Sequence, residues 1–236
     1  REDRTRISPP GSAHLRGLVL TENDLVQLGR AGKATWLLYP REQPGAATAR
    51  YIESGHAAGV DGAYKCRVRT PWWKVPVLAP PDFFLTYMNA DTPRLILNAA
   101  GARHLNSIHG VYLRPEVEDV ARDVLAVGAV NSFTMLSAEL VGRSYGGGVL
   151  KVEPREADRW LMPSPDLLLA HAADLRDAAP RVRSLLAARD LDGACALVDE
   201  VLFADRAAAA AVRRDRLTLM SRRLERGRSG RRADGA

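Results

Sequence analysis

The hydrophobic period of the chain changes near residue 163, and this change limits the folds that the chain can adopt. Before that point, short apolar runs between turn residues predict strands at 15–20, 35–39, 64–69, 83–88, 94–97, 108–113 and 149–152. Apolar spacing predicts helices between them, at 21–28, at 46–54, from 116 onward and from 131 or 132 to 140. After it, only helices are predicted, at 167–178, 182–188, 193–203 and 206–226, with Pro180, Asp190 and Asp205 as breaks.

The predicted fold class is α+β: a mixed strand and helix domain over residues 1–163, followed by an all-helical C-terminal region over 164–236 with an Arg-rich tail. Two cysteines are too few for a disulfide framework, which favours a reducing, cytoplasmic compartment. No apolar run approaches the ~20 residues that span a bilayer. The start, Arg1-Glu-Asp-Arg, has neither an initiator Met nor an apolar leader, so the chain is expected to be part of a longer one.

The net charge of +6 is located in the C-terminal tail. Residues 211–236 hold nine Arg against three acidic residues, so the rest of the chain is neutral. Within that rest, residues 62–115 have seven bases and two acids, whereas residues 151–205 have eleven acids and seven bases. The sequence therefore predicts a polyanion surface in 62–115 and none in 151–205. The tail from Arg213 to Arg232 would suit DNA phosphates, but a frayed, solvated helix end is the favoured interpretation.

The segment from Tyr64 to Lys74 has the residue types of a nucleic-acid surface. Alternation along the predicted strand 64–69 would place Lys65, Arg67 and Arg69 on one face, and two indoles follow on a turn stiffened by prolines. Cations neutralise phosphates, and flat rings or Arg forks meet bases. At least one of the two Trp residues is expected to close the hydrophobic core instead.

Other motifs leave a structural and a functional interpretation open. The run Gly146-Gly147-Gly148, flanked by Arg143 and Lys151, would suit a phosphate, but it lacks the following helix of a nucleotide loop and is more typical of a tight helix-to-strand connection. Polar positions at strand and helix ends are candidates for base contacts, for which capping and turn formation are equally good explanations: Asn98, Asn106, Ser107, His109, Asn131, Ser132 and Thr134. The five histidines lack the spacing of metal ligands, so no metal site is predicted.

Several of these segments, in this order and spacing, resemble the C-terminal half of N6-adenine DNA methyltransferases of restriction-modification systems. The resemblance covers about residues 14–165 and rests on the sequences YIESG at 51–55, GVDGAYKCRVRTPWWKVP at 59–76, RLILNAAG at 94–101, NSIHGVY at 106–112, VNSF at 130–133 and GRSYGGGVLKVE at 142–153. It implies that the α+β part is a DNA target-recognition domain with double-stranded DNA as its partner.

The same resemblance implies a missing catalytic part. The family's catalytic domain binds S-adenosylmethionine on a Gly-rich loop and has an Asn-Pro-Pro-aromatic motif, whereas here Pro9-Pro10 follows Ser8 and Pro80-Pro81 follows Ala79. No catalytic residue and no cofactor is therefore assigned to this chain, and a catalytic domain is expected in cis or in trans. Phosphate or guanine contacts are predicted for Lys65, Arg67, Arg69, Lys74 and Lys151, and groove contacts for Trp73, Asn106, His109, Asn131, Ser132, Arg143 and Tyr145.

Two alternatives from other classes stay open. One is a stand-alone, non-catalytic DNA-binding or specificity subunit that recruits a separate enzyme. The other is a degenerate remnant whose Arg-rich tail gives only non-specific affinity for polyanions. Truncation at Ala210 would separate these interpretations, because a remnant would lose all DNA binding with its tail.

Overall fold

A computed structural model of the chain describes residues 3–233, without the side chains of 117, 118, 120, 121 and 228–233. The strands are β1 Arg4–Arg6, β2 Val19–Leu20, β3 Trp36–Leu38, β4 Phe83–Thr86, β5 Met88–Asn89, β6 Leu95–Asn98, β7 Ile108–Val111, β8 Arg143–Tyr145 and β9 Val149–Lys151. The helices are α1 Glu22–Arg30, α2 Ala46–Ala57, α3 Tyr64–Arg67, α4 Glu118–Gly128, α5 Ser132–Val141, α6 Pro154–Ala157, α7 Pro165–Ala170, α8 Ala172–Ala187, α9 Leu191–Leu202 and α10 Arg206–Ala233. The predicted α+β class is confirmed.

A four-stranded sheet of order β2-β6-β4-β7 forms the centre of the molecule. Every residue of β4 is buried, since both faces of this sheet are covered. Phe83 and Leu85 face a large apolar cluster that includes α4, whereas Phe84 faces a smaller one with Leu25 of α1. The continuous apolar sequence of β4 is therefore that of a strand buried on both faces.

The larger apolar cluster extends from the sheet into the C-terminal helices. Phe83 and Val124 belong to the same cluster as Leu175 of α8 and Val198 of α9, and all four are fully buried. One core thus contains residues from both sides of residue 163. The predicted division into two domains there stays a prediction.

Pro180 does not end a helix. Helix α8 continues through it, and the break falls earlier, at His171 between α7 and α8, so the predicted break at Pro180 is wrong. Leu175 and Val182 are buried on either side of the proline, and their packing holds both halves of the helix in place.

Helix α10 packs along the molecule as a docked helix. It contacts α5 and the single turn Gly146–Gly148, and its Arg216 and Arg223 are buried. The interpretation of the tail as a solvated helix end is therefore wrong for these two residues, because each pairs with a carboxylate on another element. Arg228, Arg231 and Arg232, the last arginines of the tail, are among the residues whose side chains lie outside the described ones.

Within residues 3–233, no single helix is both long and apolar enough to cross a bilayer. One pair of helical segments, Arg122–Gly128 and Ser132–Val141, meets that length and composition together but is bent by 73°.

Candidate nucleic-acid interface

Residues 41–80, which connect β3 to β4, form a segment that contributes almost nothing to the core. Neither α2 nor α3 has a buried residue. The segment packs on itself instead: a Cβ at Gly55 of α2 would lie 3.0 Å from the Trp72 ring. Six cations and three carboxylates make it net positive. We call it the basic excursion.

The predicted strand at 64–69 is wrong, because α3 occupies its first four residues. The backbone bonds are local, with Arg67 N donating to Ala63 O at 3.0 Å and Arg69 N to Cys66 O at 3.0 Å. Alternation predicted a strand, but a strand requires a neighbour to pair with, and the fold provides none here. Lys65 and Arg67 therefore lie on different sides of a helical turn rather than on one strand face.

The four cations at 65, 67, 69 and 74 form no ion pair within the described part of the chain. No carboxylate occurs between Gly62 and Pro81, and Asp61, four residues before Lys65, pairs with His56 instead. Lys65 Nζ lies 5.8 Å from the centre of the Tyr64 ring, which is 66% exposed. Tyr51 on α2 is 68% exposed. The basic excursion thus presents cations without counter-ions beside exposed aromatic rings.

Neither tryptophan of the turn after α3 joins the core clusters. Trp72 and Trp73 are both half-buried, and Trp72 packs on α2. The expectation that one of them closes the hydrophobic core is wrong; Trp160 does so, buried with its Nε1 donating to Thr134 O at 2.8 Å.

Four predicted residues come together around Tyr87, between β4 and β5. The ring of His109 packs edge-on against Tyr87 at 5.0 Å, and Lys151 Nζ lies 5.3 Å from the rings of both Tyr87 and Tyr145. The fourth, Arg143, follows on β8, which pairs with β9. We call this group the Tyr87 cluster.

Carboxylates already neutralise the two cations of the Tyr87 cluster. Lys151 Nζ lies 2.6 Å from Glu153 Oε1, which raises the pKa of Lys151 and lowers that of Glu153. Arg143 Nε donates to Glu156 Oε1 at 2.7 Å, and this bond raises the pKa of Arg143. A phosphate at either cation would have to displace a carboxylate. At the cations 65, 67, 69 and 74 of the basic excursion, a phosphate would displace no carboxylate of the described residues.

Asn131 and Ser132 are buried and use their polar groups inside the protein. Asn131 caps α5, its Oδ1 accepting from Thr134 N at 2.9 Å and its Nδ2 donating to Gly128 O at 2.7 Å. Ser132 donates through N and Oγ to the Asp199 carboxylate at 2.8 and 2.5 Å. The predicted groove contacts of these two residues are therefore wrong, and the capping interpretation holds.

Asp199 receives those bonds in a buried position. Burial raises the pKa of Asp199, and the bonds from Ser132 together with the charge of Arg213 only partly oppose this. Of the other polar positions, Asn98 is also structural, since its Nδ2 donates to Pro81 O and Ala102 O. Asn106 is exposed in the turn before β7.

The glycine run connects β8 to β9 and is covered by α10. A Cβ at Gly148 would lie 3.1 Å from Leu224 Cα, and one at Gly227 would lie 2.1 Å from Gly148 N. The space above the run is therefore filled by a helix. The phosphate interpretation is therefore wrong. The predicted helix-to-strand connection is also wrong, because the run is the turn between the antiparallel strands β8 and β9.

Sequence reasoning missed a cation-aromatic ribbon next to the basic excursion. Strand β1 pairs with β3, and the guanidinium carbons of Arg4 and Arg6 both lie 4.1 Å from the centre of the Trp36 ring. Trp36 is 42% exposed. The sequence Arg4-Thr5-Arg6 has no apolar alternation that would predict a strand. Its only signal is two arginines at i and i+2, and the pairing with Trp36 depends on the fold.

Each of the histidines His14, His56 and His109 has its own partner. His14 shares a hydrogen bond of 2.8 Å with Ser8, and burial and the charge of Lys33 lower its pKa. His56 lies 2.8 Å from Asp61, and His109 Nε2 lies 2.9 Å from Val152 O. Among the described residues, no three His, Cys, Asp or Glu side chains lie together as the ligands of a metal ion would.

Comparison with known proteins gives a consistent assignment. The family model described as "Type II methyltransferase M.Eco57I, C-terminal domain" matches residues 1–203. Type II methyltransferase M.XamI of Xanthomonas campestris pv. amaranthicola is 38% identical over 116 residues, covering 48% of this chain and 20% of that protein. Type II methyltransferase M.AccI of Acinetobacter calcoaceticus is 23% identical over 155 residues, covering 65% of this chain and 29% of that protein. The matched segments thus span less than a third of either relative, and no solved structure matches significantly.

Proposed function

Because the chain belongs to the family of C-terminal domains of Type II methyltransferases like that of M.Eco57I, we propose that it recognises the DNA target of a site-specific adenine-N6 methyltransferase in a restriction-modification system. In this proposal the catalytic domain lies elsewhere in the same polypeptide or on another chain. That domain binds S-adenosylmethionine. This chain lacks the Gly-rich loop and the Asn-Pro-Pro-aromatic sequence that such a domain requires. The DNA-bound chain braces the duplex while the catalytic domain extrudes the adenine.

The observation that carries the proposal is the composition and exposure of the basic excursion. Arg67, Arg69 and Lys74 have no counter-ion among the described residues, and the helices around them bury nothing. A folded protein that used this segment only for stability would pack its apolar residues inward, yet Tyr51 and Tyr64 are mainly exposed. Cations and rings in this arrangement suit phosphates and bases of DNA.

In this proposal the predicted residues with exposed or half-exposed side chains divide into three groups. Lys65, Arg67, Arg69 and Lys74 neutralise phosphates, and an arginine among them reads guanine. The Tyr87 cluster forms a second, weaker contact through His109, Tyr145 and the carboxylate-paired cations. Trp73 and Asn106 supply groove contacts from exposed or half-exposed positions.

The test compares two double variants of the full chain. Arg67→Gln with Lys74→Gln removes two excursion cations, whereas Arg214→Gln with Arg222→Gln removes two exposed arginines of α10. The logarithm of the DNA association constant is measured against the logarithm of salt concentration. The excursion variant should reduce the slope by about 2, since each phosphate contact contributes about 0.9. Unchanged affinity and slope in the excursion variant would refute the proposed role.

The same pair of variants separates the proposal from the remnant interpretation. In a remnant with non-specific tail affinity, the α10 variant would bind more weakly with a lower salt slope, and the excursion variant would bind like the wild type. Truncation at Ala210 is a poorer test than it appeared from the sequence, because it also removes the buried Arg216 and Arg223. Selection from a random duplex pool adds a second readout: target recognition enriches a common sequence, and a remnant enriches none.

A further inference from the structure

A cavity of about 690 Å³ opens between the loop before β2, the turn after β5 and the junction of α8 with α9. Its charged lining consists of four arginines and one carboxylate, namely Arg16, Arg94, Arg183, Arg189 and Asp91. Two of these arginines come from residues 151–205, which are acidic by composition. The fold therefore assembles a positive site, here called the arginine cavity, where the linear sequence predicted none.

One carboxylate in the arginine cavity serves two guanidinium groups. Asp91 lies 2.9 Å from Arg16 Nη1 and 2.9 Å from Arg94 Nη2. Burial tends to raise the pKa of Asp91, but the charge of Arg94, a backbone bond at Thr92 and the charge of Arg16 outweigh it, so the pKa lies below its ordinary value. Asp91 is thus ionised at neutral pH and still leaves one positive charge unmatched.

Two further cations at the rim have no counter-ion. Arg183 on α8 and Arg189 just after it are exposed, and neither forms an ion pair with another described residue. Together with the unmatched charge at Asp91, the lining of the arginine cavity has an excess of three positive charges. A concave surface of one sign concentrates ions of the opposite sign.

Two buried guanidinium groups belong to this site: Arg94 is part of the lining, and Arg216 pairs with Asp192. Arg94 is 5% exposed and Arg216 is 1% exposed, and three of their nitrogens, Arg94 Nε with Arg216 Nε and Nη1, have no acceptor among the described residues. Burial, followed by the charges of Arg16 and Arg216, lowers the pKa of Arg94, and Asp91 only partly opposes this. Arginine stays protonated in proteins, so these buried charges persist.

We propose that the arginine cavity binds a phosphate group of the DNA backbone. Exposed donors come from Arg16, Arg183 and Arg189, whose forked guanidinium groups match the oxygens of a phosphate. Arg94 and Arg216 are held in place as buried guanidinium groups, each paired with one carboxylate. The choice of DNA as the source of the phosphate rests on the proposed function, whereas the choice of phosphate as the ligand does not.

The test removes the rim cations and leaves the Asp91 pairs intact. Arg183→Gln with Arg189→Gln forms the cavity variant, and Arg181→Gln with Arg206→Gln is a matched control, since both are exposed arginines outside the cavity lining. Each full-length variant is titrated with duplex DNA at several salt concentrations. Its melting temperature is also measured with and without inorganic phosphate. The cavity variant should lower the salt slope by about one unit, and the control should not.

The two readouts distinguish the outcomes. If phosphate stabilises the wild type but not the cavity variant while the DNA slope is unchanged, the cavity binds phosphate from a small ligand rather than from DNA. If neither readout separates the cavity variant from its control, the proposal is overturned. If the wild type fails to bind DNA yet shows the phosphate effect, the proposed function fails and the phosphate site stands. If only the excursion variant loses DNA binding and phosphate raises the melting temperature of the cavity variant as much as that of the wild type, the proposed function stands and the phosphate site fails.

Discussion

Arg223 connects α10 to the rest of the protein, and replacing it with Met should destabilise the fold severely. Its Nε and Nη2 each donate to the Glu139 carboxylate at 2.9 Å, and the two side chains are only 3% and 2% exposed. Nη2 also donates to Asp91 O at 2.8 Å, and Nη1 donates to Gly148 O. Removing the cation leaves a buried carboxylate without a partner, which costs about 3 to 5 kcal/mol.

A double-mutant cycle isolates the ion pair from the rest of this cost. Arg223→Met with Glu139→Met removes both charges and leaves two carbonyls without a donor, at about 1 kcal/mol each, so the double variant should cost about 2 kcal/mol. Urea unfolding gives the free energies. Arg222→Met, next to it and exposed, should change stability by less than about 0.5 kcal/mol. A loss below about 1 kcal/mol for Arg223→Met, or strict additivity in the cycle, would refute the docking of α10 described above.

Three further predictions concern stability and pH. Gly227→Ala should lower the free energy of unfolding, because the new Cβ would lie 2.1 Å from Gly148 N. Overpacking costs about 1–3 kcal/mol, which exceeds the gain in helix propensity of about 1 kcal/mol. A rise in the urea midpoint would contradict this prediction. The raised pKa of Asp199 means that the folded state holds this proton more tightly than the unfolded state. The wild type should therefore lose stability relative to Asp199→Asn as the pH rises from the ordinary aspartate range toward neutral. A stability difference that is constant with pH would contradict the burial effect. Thr21→Ala should cost about 1 kcal/mol in thermal unfolding, because it removes the capping box with Asp24, whereas no change would mean that the α1 cap is not formed.

Local signals in the sequence predicted the elements whose environment is also local. The apolar runs at 83–88 and 94–97 correspond to β4 and β6. A strand that is buried on both faces is recognisable from its continuous apolar sequence alone. Thr21 and Asn131 cap their helices as their types and positions indicated. These features depend on residues within a few positions of each other.

Features set by distant partners were not predictable in the same way. The alternation at 64–69 indicated a strand, but strand formation depends on a neighbour that the fold does not place there. The buried state of Arg223 depends on Glu139, 84 positions earlier. Arginines in a tail normally remain solvated. Their burial here requires a carboxylate on another element, and the sequence does not indicate which one. The arginine cavity likewise depends on the meeting of three distant segments.

Photo-crosslinking tests the central claim, that the basic excursion contacts DNA, most directly. The full chain is bound to a bromodeoxyuridine-substituted duplex, irradiated, digested and mapped by mass spectrometry. Crosslinked peptides should come from residues 51–74, where Tyr51, Tyr64 and Trp73 are exposed or half-exposed. Crosslinks found only on α10, with none in the basic excursion, would contradict the account and favour non-specific binding by the helical C-terminal region.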